Sequence, residues 1–193
     1  MTSRKNGLRT VAFTVLMFAA ATWGKPAHAQ RTMSEQNMIT LYGFTPFTGS
    51  SDLGGELCWG RYQLNSYWKV KADLESSSHK LQTGHTMNSC DIMFGGSYMH
   101  RLACTRSRNL SLYAGGGTFI GYEFYDPKKR LPEYIDTGLP VGNFLYGINA
   151  MAEVEFFFHR IIALVVYAEL PVNFSSPLSK VRYRAGAGIR INL

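Results

Sequence analysis

Beyond residue 30 the sequence has no long apolar run; the longest unbroken one, Ile161 to Ala168, is eight residues. A membrane-spanning helix needs about 20, so that route across a bilayer is excluded for this part of the chain. A helical period is missing as well, since apolar residues nowhere recur convincingly at three- and four-residue spacing. Cysteine is scarce, with Cys58, Cys90 and Cys104 the only three in 193 residues. None has a histidine at metal-ligand spacing. Cys90 and Cys104 bracket one expected strand and are too far apart to pair, while Cys58 is unconstrained; buried free thiols are the expected state. No phosphate loop is present either. Gly115-Gly116-Gly117 precedes no helix, and glycines inside a strand mark tight curvature or close packing.

What is present is alternation. In the last fourteen residues, Val181, Tyr183, Ala185, Ala187, Ile189, Ile191 and Leu193 fall on one face, and Arg182, Arg184, Gly186, Gly188, Arg190 and Asn192 on the other. Successive strand side chains point to opposite sides, so this segment needs an apolar environment on one side and a polar one on the other. A transmembrane barrel supplies both, as lipid and lumen. An amphipathic edge strand of a soluble all-β domain is the competing reading of this segment alone.

The first residues favour the barrel. Arg4, Lys5 and Arg9 precede an apolar stretch from Thr10 to Gly24, Lys25-Pro26 ends it, and Ala27-His28-Ala29 has the small-x-small pattern of a cleavage site. This layout is that of a signal peptide. Residues 1–29 are therefore expected to be removed, leaving 30–193 as a single, exported β-barrel domain. No cysteine stands at or just after the cut, so a lipid anchor is not expected. Four of the 20 basic residues lie in the leader and all 13 acidic ones lie beyond it. The formal charge of +7 thus falls to about +3, sixteen basic against 13 acidic, and makes no case for nucleic-acid binding.

Eight strands are expected: Met38 to Phe47, Glu56 to Leu64, Tyr67 to Leu74, Ser89 to Leu102, Asn109 to Phe124, Asn143 to Phe158, Ile161 to Phe174 and Lys180 to Leu193. Most reach the length of a tilted membrane strand, about 9–11 residues, and the third is marginal. Short connections at Asn65-Ser66, around Arg106-Ser107-Arg108 and at His159-Arg160 alternate with long ones at Thr48–Gly55, Glu75–Asn88, Tyr125–Gly142 and Ser175–Ser179. Outer-membrane barrels sort their periplasmic turns and extracellular loops in this way. The expected fold is an eight-stranded antiparallel transmembrane β-barrel.

In the sixth strand Phe144, Tyr146, Ile148, Ala150, Ala152, Val154, Phe156 and Phe158 form an outward set, with Gly147, Asn149, Met151, Glu153 and Glu155 inward. In the seventh, Glu169 is inward while Ile162, Leu164, Val166, Ala168 and Leu170 face out. An eight-stranded barrel has an interior that side chains can fill, and carboxylates there need partners. Glu153, Glu155 and Glu169 are expected to pair inside with Arg182, Arg184 and Arg190, making an ion-pair network rather than an open pore. The same pairing is preferred to a catalytic acid/base role for Glu153 and Glu155. His79 and His85 fall in an expected exposed loop and, with His100, have no metal-ligand spacing. Lys128-Lys129-Arg130, in the longest loop, could contact anionic lipid or a partner, against the default of a solvated loop.

Certain stretches carry a family likeness. Leu110-Ser111-Leu112-Tyr113-Ala114-Gly115 through Gly121-Tyr122-Glu123 resembles the TraO proteins of Bacteroidetes conjugative transposons. So does Asn143-Phe144-Leu145-Tyr146-Gly147, followed by Glu153 and Glu155 and by Gly186-Ala187-Gly188-Ile189-Arg190. The resemblance implies an outer-membrane component of a conjugative DNA-transfer apparatus, acting through protein contacts. It implies no enzyme activity, cofactor, metal or small-molecule substrate, and no direct contact with nucleic acid; its partners would be outer-membrane lipid and other apparatus proteins. Two alternatives stand beside it. One is a general small barrel of the OmpX kind, concerned with adhesion or envelope integrity. The other is a lipid-modifying barrel enzyme, for which Ser76, Ser77, Ser78 and His79 lie near a rim without an evident base or orienting partner.

Overall fold

The computed structural model describes residues 35–46, 52–80, 86–106, 109–126, 142–159, 161–176 and 180–193. Eight strands follow one another: β1 (Asn37–Pro46), β2 (Leu53–Gln63), β3 (Ser66–Lys80), β4 (Thr86–Cys104), β5 (Leu110–Asp126), β6 (Gly142–Phe157), β7 (Ile162–Asn173) and β8 (Arg184–Asn192). Each pairs antiparallel with the next, and β8 returns to β1 to close the barrel. The closing ladder runs from Met38↔Asn192 to Pro46↔Arg184, so no edge strand is left along it. Residues 1–34, and with them the expected leader, lie outside the described residues, as do Lys128, Lys129 and Arg130.

The alternation read from the sequence is a lipid-against-lumen alternation. Leu41, Leu57, Val70, Phe94, Ile120, Ile148, Val166 and Ile189 are exposed on the outside, while Met38, Tyr67, Met99, Tyr113, Met151 and Val165 pack within. Short turns lie at one end, which also carries both described chain ends; the Leu193 amide donates to the Asn37 carbonyl there. At the His159 turn, which lacks the usual glycine or asparagine, the Ile161 amide donates to His159 Nδ1 at 3.4 Å.

Several strand limits differ from expectation, β2 beginning at Leu53 and not Glu56 among them, and in two regions the reason is physical. The third strand is not marginal: β3 and β4 extend into the segment expected to be the Glu75–Asn88 loop, leaving only 81–85 between them. Glu75-Ser76-Ser77-Ser78 is polar on both faces and so carries no alternation, yet Glu75 and Ser77 point into a polar interior that accepts them. His79 accordingly belongs to β3 and not to a loop, and His85 lies outside the described residues. At the other limit, β8 begins at Arg184 instead of Lys180. Pro171 on β7 has no N–H for a ladder; there the chain is held by the isolated Val172↔Val181 bridge, in which the Arg182 amide donates to the Pro171 carbonyl and the Asn173 amide to the Lys180 carbonyl.

The glycine triplet of β5 allows close approach of neighbouring strands. A Cβ on Gly117 would lie 1.9 Å from the Gly96 carbonyl oxygen, whereas one on outward-facing Gly43 would meet nothing within 4 Å. Gly117→Val is therefore expected to destabilise the barrel by roughly 1–3 kcal/mol, the usual range for overpacking, and Gly43→Val to be nearly neutral. Urea midpoints of the two variants check this.

Candidate functional site: the charged barrel interior

The interior is organised around cations that each serve several carboxylates. Nearest the turn end, Arg190 of β8 is fully buried. Its guanidinium pairs with Glu153 at 2.8 Å and Glu155 at 3.0 Å, both from β6. The same group donates to Thr40 Oγ1 and to the Tyr42 and Tyr62 hydroxyls. Glu153 also accepts from Lys69 and from the Tyr42 and Tyr67 hydroxyls, while Tyr62 donates to Glu155. Charge-assisted bonds of this kind are the strong ones, and here they reach both oxygens of Glu153 and Oε1 of Glu155.

At mid-height, Lys71 of β3 reaches Glu169 at 2.6 Å, Asp73 at 3.1 Å and Glu56 at 3.4 Å. Arg184 meets Glu75 at 2.5 Å, Asp73 at 3.3 Å and Glu169 at 3.7 Å. Asn149 donates to Glu169, and the Cys58 thiol to Glu56. Toward the loop end Arg182 joins three strands at once, pairing with Glu75 of β3, Asp91 of β4 and Glu123 of β5. Ser77 donates to Glu75, and Tyr125 and Ser176 to Glu123.

The structure thus brings Glu153 and Glu155 to Arg190 and Glu169 to Arg184, while Arg182 meets none of the three. Seven further interior residues were not anticipated: Glu56, Lys69, Lys71, Asp73, Glu75, Asp91 and Glu123. A signal for four of them was available, because Lys69-Val70-Lys71-Ala72-Asp73-Leu74-Glu75 alternates as regularly as the last strand. Among the described residues, five cations of this network face eight carboxylates, and each of the eight has a cation within 4.0 Å. Such an arrangement fills and braces an interior.

The remaining candidates are scattered. Cys58 is buried as expected, but Cys90 and Cys104 are exposed, and all three are free thiols. Cys90 faces outward opposite Phe124, whereas Cys104, past the bulge between Arg101 and Ala103, is in register with inward-facing Ser111 and is exposed at the turn rim. Of the serines near the rim, Ser77 points inward to Glu75, while Ser78 Oγ bonds to Asn88. His100 is exposed on the outer face of β4.

A closed antiparallel barrel with an apolar exterior and a charged, filled interior defines a transmembrane β-barrel of the outer-membrane type. Solved structures of similar fold agree. Neisserial surface protein A is 13% identical with a TM-score of 0.57, over 82% of this chain and 95% of that one. A major outer membrane protein from Thermus thermophilus is 7% identical with a TM-score of 0.57, over 83% and 100%. Ail, the attachment invasion locus protein of Yersinia pestis, is 13% identical with a TM-score of 0.50, over 83% and 100%. No curated protein matches in sequence. The family model described as conjugative transposon protein TraO matches residues 36–193. The chain belongs to the TraO family.

Removing one partner of a buried ion pair leaves a charge uncompensated. Arg184→Leu should destabilise the barrel by roughly 3–5 kcal/mol, since Asp73, Glu75 and Glu169 all lose a cation. Ala185→Leu, one residue on and facing out, should be nearly neutral. Reversed urea midpoints would contradict the facing described above, because a one-residue slip exchanges the two sides.

Proposed function

We propose that the protein is an outer-membrane component of a conjugative DNA-transfer apparatus, exported by its leader and acting by contact rather than by chemistry. The observation that carries this is the family match over residues 36–193, joined to an interior network whose carboxylates are taken up by Lys and Arg. Such an interior supports a scaffold role, because a lumen filled by paired side chains neither binds a substrate nor presents a catalytic group. Contacts would then fall to the loops at the long-connection end and to the lipid-facing wall. The turns at the other end are two to five residues long and offer little surface.

Two measurements test the reading. On cell fractionation the protein should be found with the outer membrane and migrate faster on a gel unheated than boiled; recovery from the soluble periplasm without detergent would exclude the location. Deleting the gene from its element should lower transfer frequency from the donor while growth and resistance to bile salts stay normal. Normal transfer with new detergent sensitivity would point instead to a general envelope barrel. Replacing Lys128, Lys129 and Arg130 together by Ser should leave folding intact and reduce transfer if that loop docks a partner, read in the same assay.

A further inference from the structure

The outer wall is uneven in a way that none of the interior requires. Along β5 every outward position from Leu110 to Phe124 is apolar, glycine or threonine, and along β6 every outward position from Phe144 to Phe156 is apolar. The outward apolar stretch of β3 runs only from Trp68 to Leu74, with Ser76 and Ser78 beyond it. On β4 the unbroken part runs from Cys90 to Tyr98, between Asn88 and His100, with Leu102 and Ala103 exposed past it at the bulge. With a rise of about 3.3 Å per residue and a tilt of about 40°, these stretches are ~35 Å and ~30 Å high on β5 and β6 but only ~15 Å and ~20 Å on β3 and β4. An outer-membrane barrel normally carries an apolar band of about 25 Å. β5 and β6 exceed that height, and β3 and β4 fall short of it.

We infer that the barrel imposes a step on the surrounding bilayer, thinning the lipid along β3 and β4 while β5 and β6 face lipid of full thickness. A rigid tilt does not remove the difference, because it moves both ends of a short strand together without lengthening its apolar part. Local thinning is the accommodation open to a stretch that is too short. The lower limit of the short side is drawn by Arg61, which is in register with Trp68, and by His100. Just inside that limit Trp59 and Trp68 stand edge to face at 5.0 Å, the position at which tryptophan anchors to a headgroup layer. The long side instead ends in aromatics at its upper limit, where the Tyr122 and Phe124 rings meet at 4.8 Å, inclined at 55°.

This inference rests on the membrane location proposed above, and Trp59 and Trp68 are natural reporters for it. The full chain carrying Trp23→Phe leaves only those two tryptophans. It would be folded from urea into phosphatidylcholine vesicles with acyl chains of increasing length, some lipids being brominated at a known depth. Thinning beside β3 keeps both tryptophans at headgroup level, so quenching by mid-chain bromine should stay low in every vesicle. In addition, Arg61→Leu with His100→Leu lengthens the short side and should raise the folded yield several-fold in the thickest bilayers, with no change in the thinnest. Arg61 gives up only an exposed pair with Glu35, which contributes little to stability. Mid-chain quenching that grows with bilayer thickness would overturn the inference, as would a double variant with the wild-type chain-length profile. If the double variant fails to fold, the quenching of the parent chain decides. A parent that folds in no bilayer would overturn the membrane location itself.

Discussion

Everything else in this barrel depends on the neutralisation of buried charge. Eight strands close around a space that side chains fill, and here that space receives carboxylates and cations rather than only methyl groups and rings. Each buried ion has a desolvation penalty of several kcal/mol, offset only when its partners and hydrogen bonds are in place. The tyrosines are part of that offset. Tyr42, Tyr62 and Tyr67 supply hydroxyls to the Arg190 cluster and ring surface to the wall, so the same residues satisfy charge and fill volume.

The arrangement also constrains register. Strand order alone would be met by any antiparallel closure, but Arg190 must stand level with Glu153 and Glu155 two strands away, and Arg182 level with acids on β3, β4 and β5. A slip by one residue would carry every one of these side chains into lipid. Charge inside and apolar surface outside therefore specify the same register independently.

How much of this could be read in the chain varied with the environment of each segment. β6, β7 and β8 were legible because lipid lies against one face and polar groups against the other, and their facing followed from parity. The upper half of β3 was not, because Ser76, Ser77 and Ser78 are polar on both faces and so look like a loop. The inward direction of Glu153, Glu155, Glu169 and the three arginines was legible; their partners were only partly so. Arg182 reaches Glu75, Asp91 and Glu123 across separations of 107, 91 and 59 residues, which local pattern does not encode. Parity likewise separates Cys58 from Cys90, but scarcity of cysteine by itself does not.

The distribution of cations along the chain bears on how the barrel is assembled. Of the five interior cations among the described residues, Lys69 and Lys71 belong to β3, while Arg182, Arg184 and Arg190 all come from the last dozen residues. The carboxylates they answer are spread from Glu56 to Glu169. The chain up to the end of β7 thus supplies two cations against eight acids. The segment from Arg182 onward supplies the three remaining cations, and its strand β8 supplies hydrogen bonds to both β7 and β1. Closing the barrel and neutralising its interior are thus tasks of the same last dozen residues.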